Sequence, residues 1–190
     1  MSDTSENITG LILAGGRGRR AGGKDKGLIE WRGRPLVAHV AERVAPQVCH
    51  LMLSCNRNTG IYRTIVSDTV TDERADYQGP LAGIESAAPK LQTAYLLVTA
   101  CDTPRVPLDL AQRLHESLAD TNTSASISVA WDGTRNQYLC ALIGRDALPS
   151  LAAYLNQGGR TVREWYGGAG FVTVDFSSHT AAFENLNKLQ

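Results

Sequence analysis

The feature that most constrains this chain is a set of short, almost wholly apolar runs separated by helix-length segments. AYLLVTACD (94–102) is the clearest, and ITGLILA (8–14) and HLMLSCN (50–56) share its character. Runs of this length, rich in leucine and β-branched residues and stopped by glycine or polar residues, read as buried strands. Between them PLVAHVAERVAPQV (35–48) sets Leu36, Val37, Val40, Ala41 and Val44 at helical spacing behind Pro35, a residue suited to the first helical position. TIVSD (64–68) reads as a short third strand. GPLAGIESAAPKL (79–91) reads as a turn leading into a helix that Pro89 weakens.

Further on, PLDLAQRLHESLA (107–119) has the pattern of an amphipathic helix with Leu108, Leu110, Leu114 and Leu118 toward the core. SASISVAW (124–131) and QYLCALIG (137–144) read as a strand pair around DGTRN. A helix (146–155), a basic turn NQGGRTVREW (156–165), a last strand FVTVDF (171–176) and a polar tail follow. Strands separated by helices of about a dozen residues require parallel crossovers. The expected class is therefore α/β: a three-layer, open, mostly parallel sheet with a Rossmann-like nucleotide-binding half. With 190 residues, no internal repeat and no low-complexity linker, one domain over 1–190 is expected.

Ligands of such sheets bind outside the carboxyl ends of the strands. Two of those ends stand out, Asp102 after the strongest strand and the loop after the first. The stretch LILAGGRGRRAGGKDKGL (11–28) holds Arg17, Arg19, Arg20, Lys24 and Lys26 against one acid, Asp25, although lysine plus arginine (19) equal aspartate plus glutamate (19) over the whole chain. Charge is local, which points to a site rather than to a basic field for nucleic acid. No apolar run approaches the roughly 20 residues that cross a bilayer. The amino terminus lacks the basic start and apolar stretch of a signal peptide. Cys49, Cys55, Cys101 and Cys140 show no CxxC spacing and are expected as buried free thiols, in keeping with a cytoplasmic protein. His39, His50, His115 and His179 lie in ordinary contexts and take no role.

The glycine-rich loop formally meets two phosphate patterns, and both fail. Gly18 followed by Gly23-Lys24 imitates a P-loop, but Asp25 stands where a magnesium-holding Ser or Thr is needed. Gly16-Arg17-Gly18 with Ala21 imitates a dinucleotide fingerprint, yet the second strand ends in SCNR, without the acid that would meet a ribose. What survives is the physics common to both. Successive glycines let several backbone N–H groups converge on one ligand, and neighbouring arginines and lysines add charge-assisted hydrogen bonds to phosphate oxygens.

The longer string LAGGRGRRAGGKDKGLIEWRGRPL resembles the amino-terminal signature of the nucleotidyltransferase superfamily, and its GG-x-DKGL portion is similar to the molybdenum cofactor guanylyltransferases. The similarity continues through DYQGPLAGI (76–84), CDTP (101–104) and AFENLN (182–187). The resemblance implies magnesium-dependent transfer of GMP from GTP to a molybdopterin-type cofactor, with manganese a possible substitute. Pyrophosphate and the guanine dinucleotide form of the cofactor are the products. It implies a nucleotide half over about 8–105 and a pterin half over about 106–187. It places phosphate binding on Lys26, the metal on Asp102, and contacts to base and ribose on Leu13, Ala14 and Gly15, with Gly16 beside them as a further nucleotide-binding residue. Arg20 and Gly23 fall on further signature positions, with Arg20 counted beside Lys26 and Asp102 as catalytic. Asp72 matches a nucleotide-binding acid, and Gly79 and Gly83 a second nucleotide-contacting loop. Arg160, Asn185 and Asn187 match acceptor-binding positions, with Arg163 as an alternative cation.

Three departures from the family pattern stand in the chain: Ala21 replaces a usual methionine, Ser54 with Asn56 two residues on replaces a usual asparagine, and the chain stops at Gln190. Ser54 is retained as the nucleotide contact at that strand end. Asp102 is also expected as a metal ligand from its own position, since a carboxylate at a strand's carboxyl end points into the crevice. The expected partners are GTP, molybdopterin or its molybdenum-loaded form, cofactor-biosynthesis proteins and molybdoenzyme chaperones, with no nucleic acid or membrane. Alternatives on the same fold are a molybdopterin cytidylyltransferase and a sugar-phosphate nucleotidyltransferase. A nucleotide-binding accessory protein without turnover is the alternative of a different class.

Overall fold

A computed structural model describes residues 4–15, 25–74, 79–120 and 123–186. Strand β1 (Ile8–Leu13) is followed by a small hairpin of β2 (Glu30–Trp31) and β3 (Arg34–Pro35), then helix α1 (Leu36–Val44), β4 (His50–Ser54), the short α2 (Thr59–Arg63) and β5 (Asp68–Val70). Helix α3 (Pro80–Ala87), β6 (Tyr95–Ala100) and α4 (Leu110–Ala119) come next. The chain continues through β7 (Ile127–Trp131), β8 (Asn136–Gly144), α5 (Pro149–Asn156), α6 (Val162–Ala169) and β9 (Phe171–Asp175), and then a 3₁₀ segment over Ser177–Phe183. One seven-stranded sheet runs in the order β5-β4-β1-β6-β8-β7-β9. The pairings of β1 with β4 and β6, of β4 with β5 and of β7 with β9 are parallel. Strand β8 runs against both its neighbours.

The apolar runs lack polar alternation because both sheet faces are covered. Along β1, Ile8 and Ile12 face a core with Val37, Val40 and Leu114 from α1 and α4. Leu11 and Leu13 face the other way, toward Leu81 and Ile84 of α3 and Leu151 of α5. Gly10 permits the close approach of α1, since a Cβ there would lie 2.9 Å from Leu51 Cδ1 and 3.1 Å from Val44 Cγ1. The buried Gln47 ties α1 to α4: its amide donates to the carbonyls of Arg43 (2.8 Å) and Pro107 (2.9 Å), and its Oε1 accepts from the Ala111 N–H (2.9 Å). Among the described residues no helix is long and apolar enough to cross a membrane.

Five expectations are corrected. The third strand lies at Asp68–Val70, because Thr64 and Ile65 still belong to the turn that closes α2. Leu108 is 61% exposed, since helix α4 begins only at Leu110 and its apolar face starts there. The supposed basic turn contains the start of α6, whose first turn is capped by Thr161 accepting from the Glu164 N–H at 3.3 Å. Thr161 and Glu164 form the Thr-x-x-Glu pattern of a helix start. The polar tail carries Phe183, buried against Phe176 at 5.6 Å between ring centroids. Cys49 is exposed, whereas Cys55, Cys101 and Cys140 are buried, and all four are free thiols.

Leu110→Ala is expected to cost about 2–5 kcal/mol of stability through the cavity it leaves. Leu108→Ser should change stability by less than about 0.5 kcal/mol. Urea unfolding of the two variants reads the difference directly.

Candidate active site

Strands β1, β4 and β6 end level with one another: Leu13 pairs with Ser54 on one side and with Ala100 on the other. The ladder runs to the last residues, with the Ala14 N–H donating to Ser54 O at 2.8 Å and the Cys101 N–H to Leu13 O at 3.1 Å. Beyond this edge the backbone leaves the sheet, and Ser54 and Asp102 lie there.

Asp102 stands two residues past the end of β6 and is 5% exposed. A carboxylate so buried needs a partner, and the ammonium of Lys26 supplies it as an ion pair. Lys26 stands at the start of a 3₁₀ turn over Lys26–Leu28 and keeps a third of its side chain exposed. The two residues expected to handle phosphate and metal therefore meet, though 76 positions of sequence separate them (102 minus 26). The tail joins the same turn: the Leu186 N–H donates to Asp102 O at 3.1 Å, and Arg105 pairs with Glu184 at 3.1 Å. Asn185 lies within this tied segment.

The second cluster sits at the ends of β4 and β5. Asp72 and Asn56 bond reciprocally. The Asn56 amide donates to Asp72 Oδ2 at 2.6 Å, and the Asp72 N–H donates to Asn56 Oδ1 at 2.9 Å. Burial pushes the Asp72 carboxyl above its ordinary range, against the pull of Asn56 and the Ser54 hydroxyl. Its Oδ1 is buried and has no hydrogen-bond partner among the described residues. Ser54 is itself buried, and Gly15 passes close by: a Cβ on Gly15 would stand 3.2 Å from Asn56 Nδ2 and 3.5 Å from Ser54 Oγ.

Gly83 is a packing requirement. A Cβ on it would lie 2.6 Å from Ser54 Oγ and 2.9 Å from Leu13 Cδ2, so only glycine lets α3 rest on the ends of β1 and β4. Gly79 precedes Pro80 at φ +82° and ψ −168°, a conformation that favours glycine, and it turns the chain into α3.

The acceptor candidates divide. Helix α5 returns from the far end of β8, and its last residue, Asn156, accepts from Arg74 at 2.8 Å. Arg160 caps the same helix, donating to Leu155 O (2.8 Å) and Gly159 O (2.6 Å), so its guanidinium is engaged with backbone carbonyls. Arg163 is exposed on α6. Gly16, Arg17, Arg19, Arg20, Gly23, Lys24 and Asn187 lie outside the described residues.

Two participants were not anticipated from the sequence. Asn56 was noted only as a displaced asparagine, and its pairing with Asp72 spans two strands. Arg74 grips Glu85 of α3 through two hydrogen bonds (2.5 and 2.7 Å) as well as Asn156, tying the loop after Asp72 to α3 and α5. No local pattern announces such a bridge.

The MobA-like NTP transferase domain matches residues 10–169. Molybdenum cofactor guanylyltransferase of Ralstonia nicotianae is 41% identical over 192 residues, covering 97% of this chain and 94% of the relative. The enzyme of the same name from Shewanella piezotolerans is 38% identical over 180 residues, covering 95% and 87%. Among solved structures, molybdopterin-guanine dinucleotide biosynthesis protein A of Archaeoglobus fulgidus shares the fold with a TM-score of 0.75, at 22% identity over 94% of this chain and 92% of that one.

Because the folded state raises the Asp72 carboxyl above the ordinary carboxylate range, its ionisation opposes folding at neutral pH. That opposition is full above the raised value and disappears once pH falls below the unfolded one. Asp72→Asn should therefore melt higher than the parent at pH 8, with the gap closing as pH is lowered through the carboxylate range. Thermal unfolding across a pH series measures this.

Proposed function

The chain belongs to the MobA-like NTP transferase family, and on that premise we propose that it transfers GMP from GTP to the terminal phosphate of a molybdopterin-type cofactor. The observation that carries this reading is the meeting of Lys26 and Asp102 at the level edge of β1 and β6. One cation suited to phosphate and one buried oxygen donor suited to a hard metal stand at a single point.

The chemistry asks little of the protein beyond placement. A phosphate monoester has its second pKa near about 6, so the acceptor is a dianion at neutral pH and needs no protein base. Its oxygen forms a bond to the α-phosphorus of GTP, the bond from that phosphorus to the bridging oxygen breaks, and pyrophosphate leaves with the electron pair. Catalysis then rests on alignment and on neutralising charge. Lys26, beside Asp102, holds the triphosphate, and Arg20, Gly16 and Gly23 of the same loop join it. Leu13, Ala14 and Gly15 present backbone to the ribose and base. Asp72 and Ser54 face the base, with Asp72 as the acceptor for the N1 and N2 donors of guanine, and Gly79 and Gly83 form the second nucleotide-contacting segment.

Asp102 fits a magnesium or manganese ion. Such ions take one or two carboxylates and complete their shell with substrate phosphates and water. Among the described residues no group of three or more His, Cys, Asp or Glu side chains is gathered, which suits an ion that arrives with the nucleotide. Bound there, the ion supplies positive charge to the triphosphate oxygens. Arg160, Asn185 and Asn187 hold the acceptor, in a half running from about 106 to 187 that completes one transferase domain over 1–190 with the nucleotide half at about 8–105. Four free thiols suit the reducing cytoplasm, where cofactor-biosynthesis proteins and molybdoenzyme chaperones would supply and receive the cofactor.

With molybdopterin-bearing cofactor, magnesium and each nucleoside triphosphate in turn, pyrophosphate and dinucleotide product should form with GTP alone. Equal or faster turnover with CTP would overturn the guanylyl assignment. Asp102→Asn should lose turnover by orders of magnitude while still binding GTP, as calorimetry and a product assay together report. Arg160→Ala should raise the KM for the cofactor more than that for GTP, and the reverse result moves Arg160 to the nucleotide side.

A further inference from the structure

Asp25 is the one acid in the basic loop, adjoining the lysine that pairs with Asp102. A carboxylate facing the triphosphate there would repel it. The structure turns Asp25 the other way. Oδ1 accepts from the Tyr62 hydroxyl, and Oδ2 accepts from the Asn58 amide at 3.0 Å, so both oxygens are engaged by the start and the body of α2.

The arrangement is built from several independent features. Tyr62 is fully buried, and burial together with the Asp25 hydrogen bond pushes its phenol far up, so it remains a donor. Gly27 makes room for it: a Cβ there would stand 2.5 Å from the Tyr62 hydroxyl. Asn58 holds a left-handed backbone at φ +52°, which asparagine tolerates better than most residues; it stands at the N-cap position of α2, and its side chain, which makes no cap hydrogen bond, reaches Asp25. The turn is closed by the Leu28 N–H on Asp25 O (3.1 Å) and the Ile29 N–H on Lys26 O (3.3 Å). With Asp25 directed into α2, the next residue, Lys26, is directed to Asp102.

We propose that Asp25, Tyr62 and Asn58 form a positioning clasp that orients Lys26 toward the triphosphate. The clasp touches no substrate and acts only through Lys26, and it rests on the reading of Lys26 as the triphosphate cation. Preorganisation of this kind lowers the ordering cost of binding, so it should appear in nucleotide affinity rather than in acceptor affinity.

The test is GTP binding in the presence of magnesium, followed by calorimetry, for Tyr62→Phe, Asn58→Ala, Lys26→Ala and the two double variants with Lys26→Ala. Tyr62→Phe keeps the buried ring and removes only the hydroxyl. It should weaken GTP about tenfold, the size expected for one hydrogen bond to a charged group. It should also raise the KM for GTP while leaving the KM for the cofactor within about twofold. Asn58→Ala, at an exposed residue, should weaken GTP about threefold and carries the test if Tyr62→Phe does not fold.

In the Lys26→Ala background neither substitution should cost more than about twofold further, because a clasp acting through Lys26 has nothing left to orient. Unchanged affinity in the Lys26-containing variants, or equal losses with and without Lys26, overturns the clasp. If Lys26→Ala alone binds GTP as the parent does, the reading of Lys26 fails instead, and the clasp falls with it by a separate result.

Discussion

The level ending of β1 between two parallel neighbours is the constraint on which the rest of the molecule depends. Leu13 is matched by Ser54 and Ala100, and the backbone bonds of Ala14 and Cys101 continue the ladder to its last residues. Parallel pairing in turn requires crossovers that cover both faces, which is why β1 is apolar on both sides. Side chains that follow the strand ends therefore project into one crevice, whatever their distance in sequence. Ser54 and Asp102 reach the site this way, and Asp72 follows from the end of β5 beside β4.

Within that crevice the acids are handled by different physics. Asp102 is neutralised by a cation, Lys26. Asp25 is held by two uncharged donors and needs no cation. Asp72 is pulled down by Asn56 and Ser54, but among the described residues one of its oxygens has no partner, so burial dominates and its carboxyl rises. Asp132, at the end of β7, shows the opposite balance. Burial alone would raise it, but bonds from the Thr134 hydroxyl and N–H, the Arg135 N–H and the Gln137 amide outweigh burial and hold it at about 2. A fully satisfied acid such as Asp132 serves the loop that it closes. An acid left partly unsatisfied costs stability, and such sites concentrate where a ligand can complete the bonding.

Much of this was legible along the chain, and what was not has definable causes. The strands at 8–14, 50–56 and 94–102 and the crossover helices were readable because their apolar patterns are local. Lys26 and Asp102 were singled out separately, after two strands of one parallel sheet, but their pairing was not, because it joins residues far apart in sequence. The third strand was misplaced because Ile65 and Val66 are apolar for the sake of α2 and the core beneath it. Leu108 was assigned to the core by a periodicity that starts two residues later. Helix α6 was missed although Thr161 and Glu164 announced it, since the flanking glycines and arginines resemble a turn.

The sequence by itself determined the class of fold, the order of the crossovers and the identity of the residues at the strand ends, because each follows from spacing and residue type within a short window. Only the tertiary structure decided which way those residues face. Asp25 turns to Tyr62 rather than to phosphate, Asn56 takes Asp72, Arg74 reaches both Glu85 and Asn156, and Arg160 lies on the carbonyls that end α5. In each case a side chain could satisfy its charge or hydrogen bonds in several ways. The choice fell to partners that packing brings within about 3 Å from distant parts of the chain.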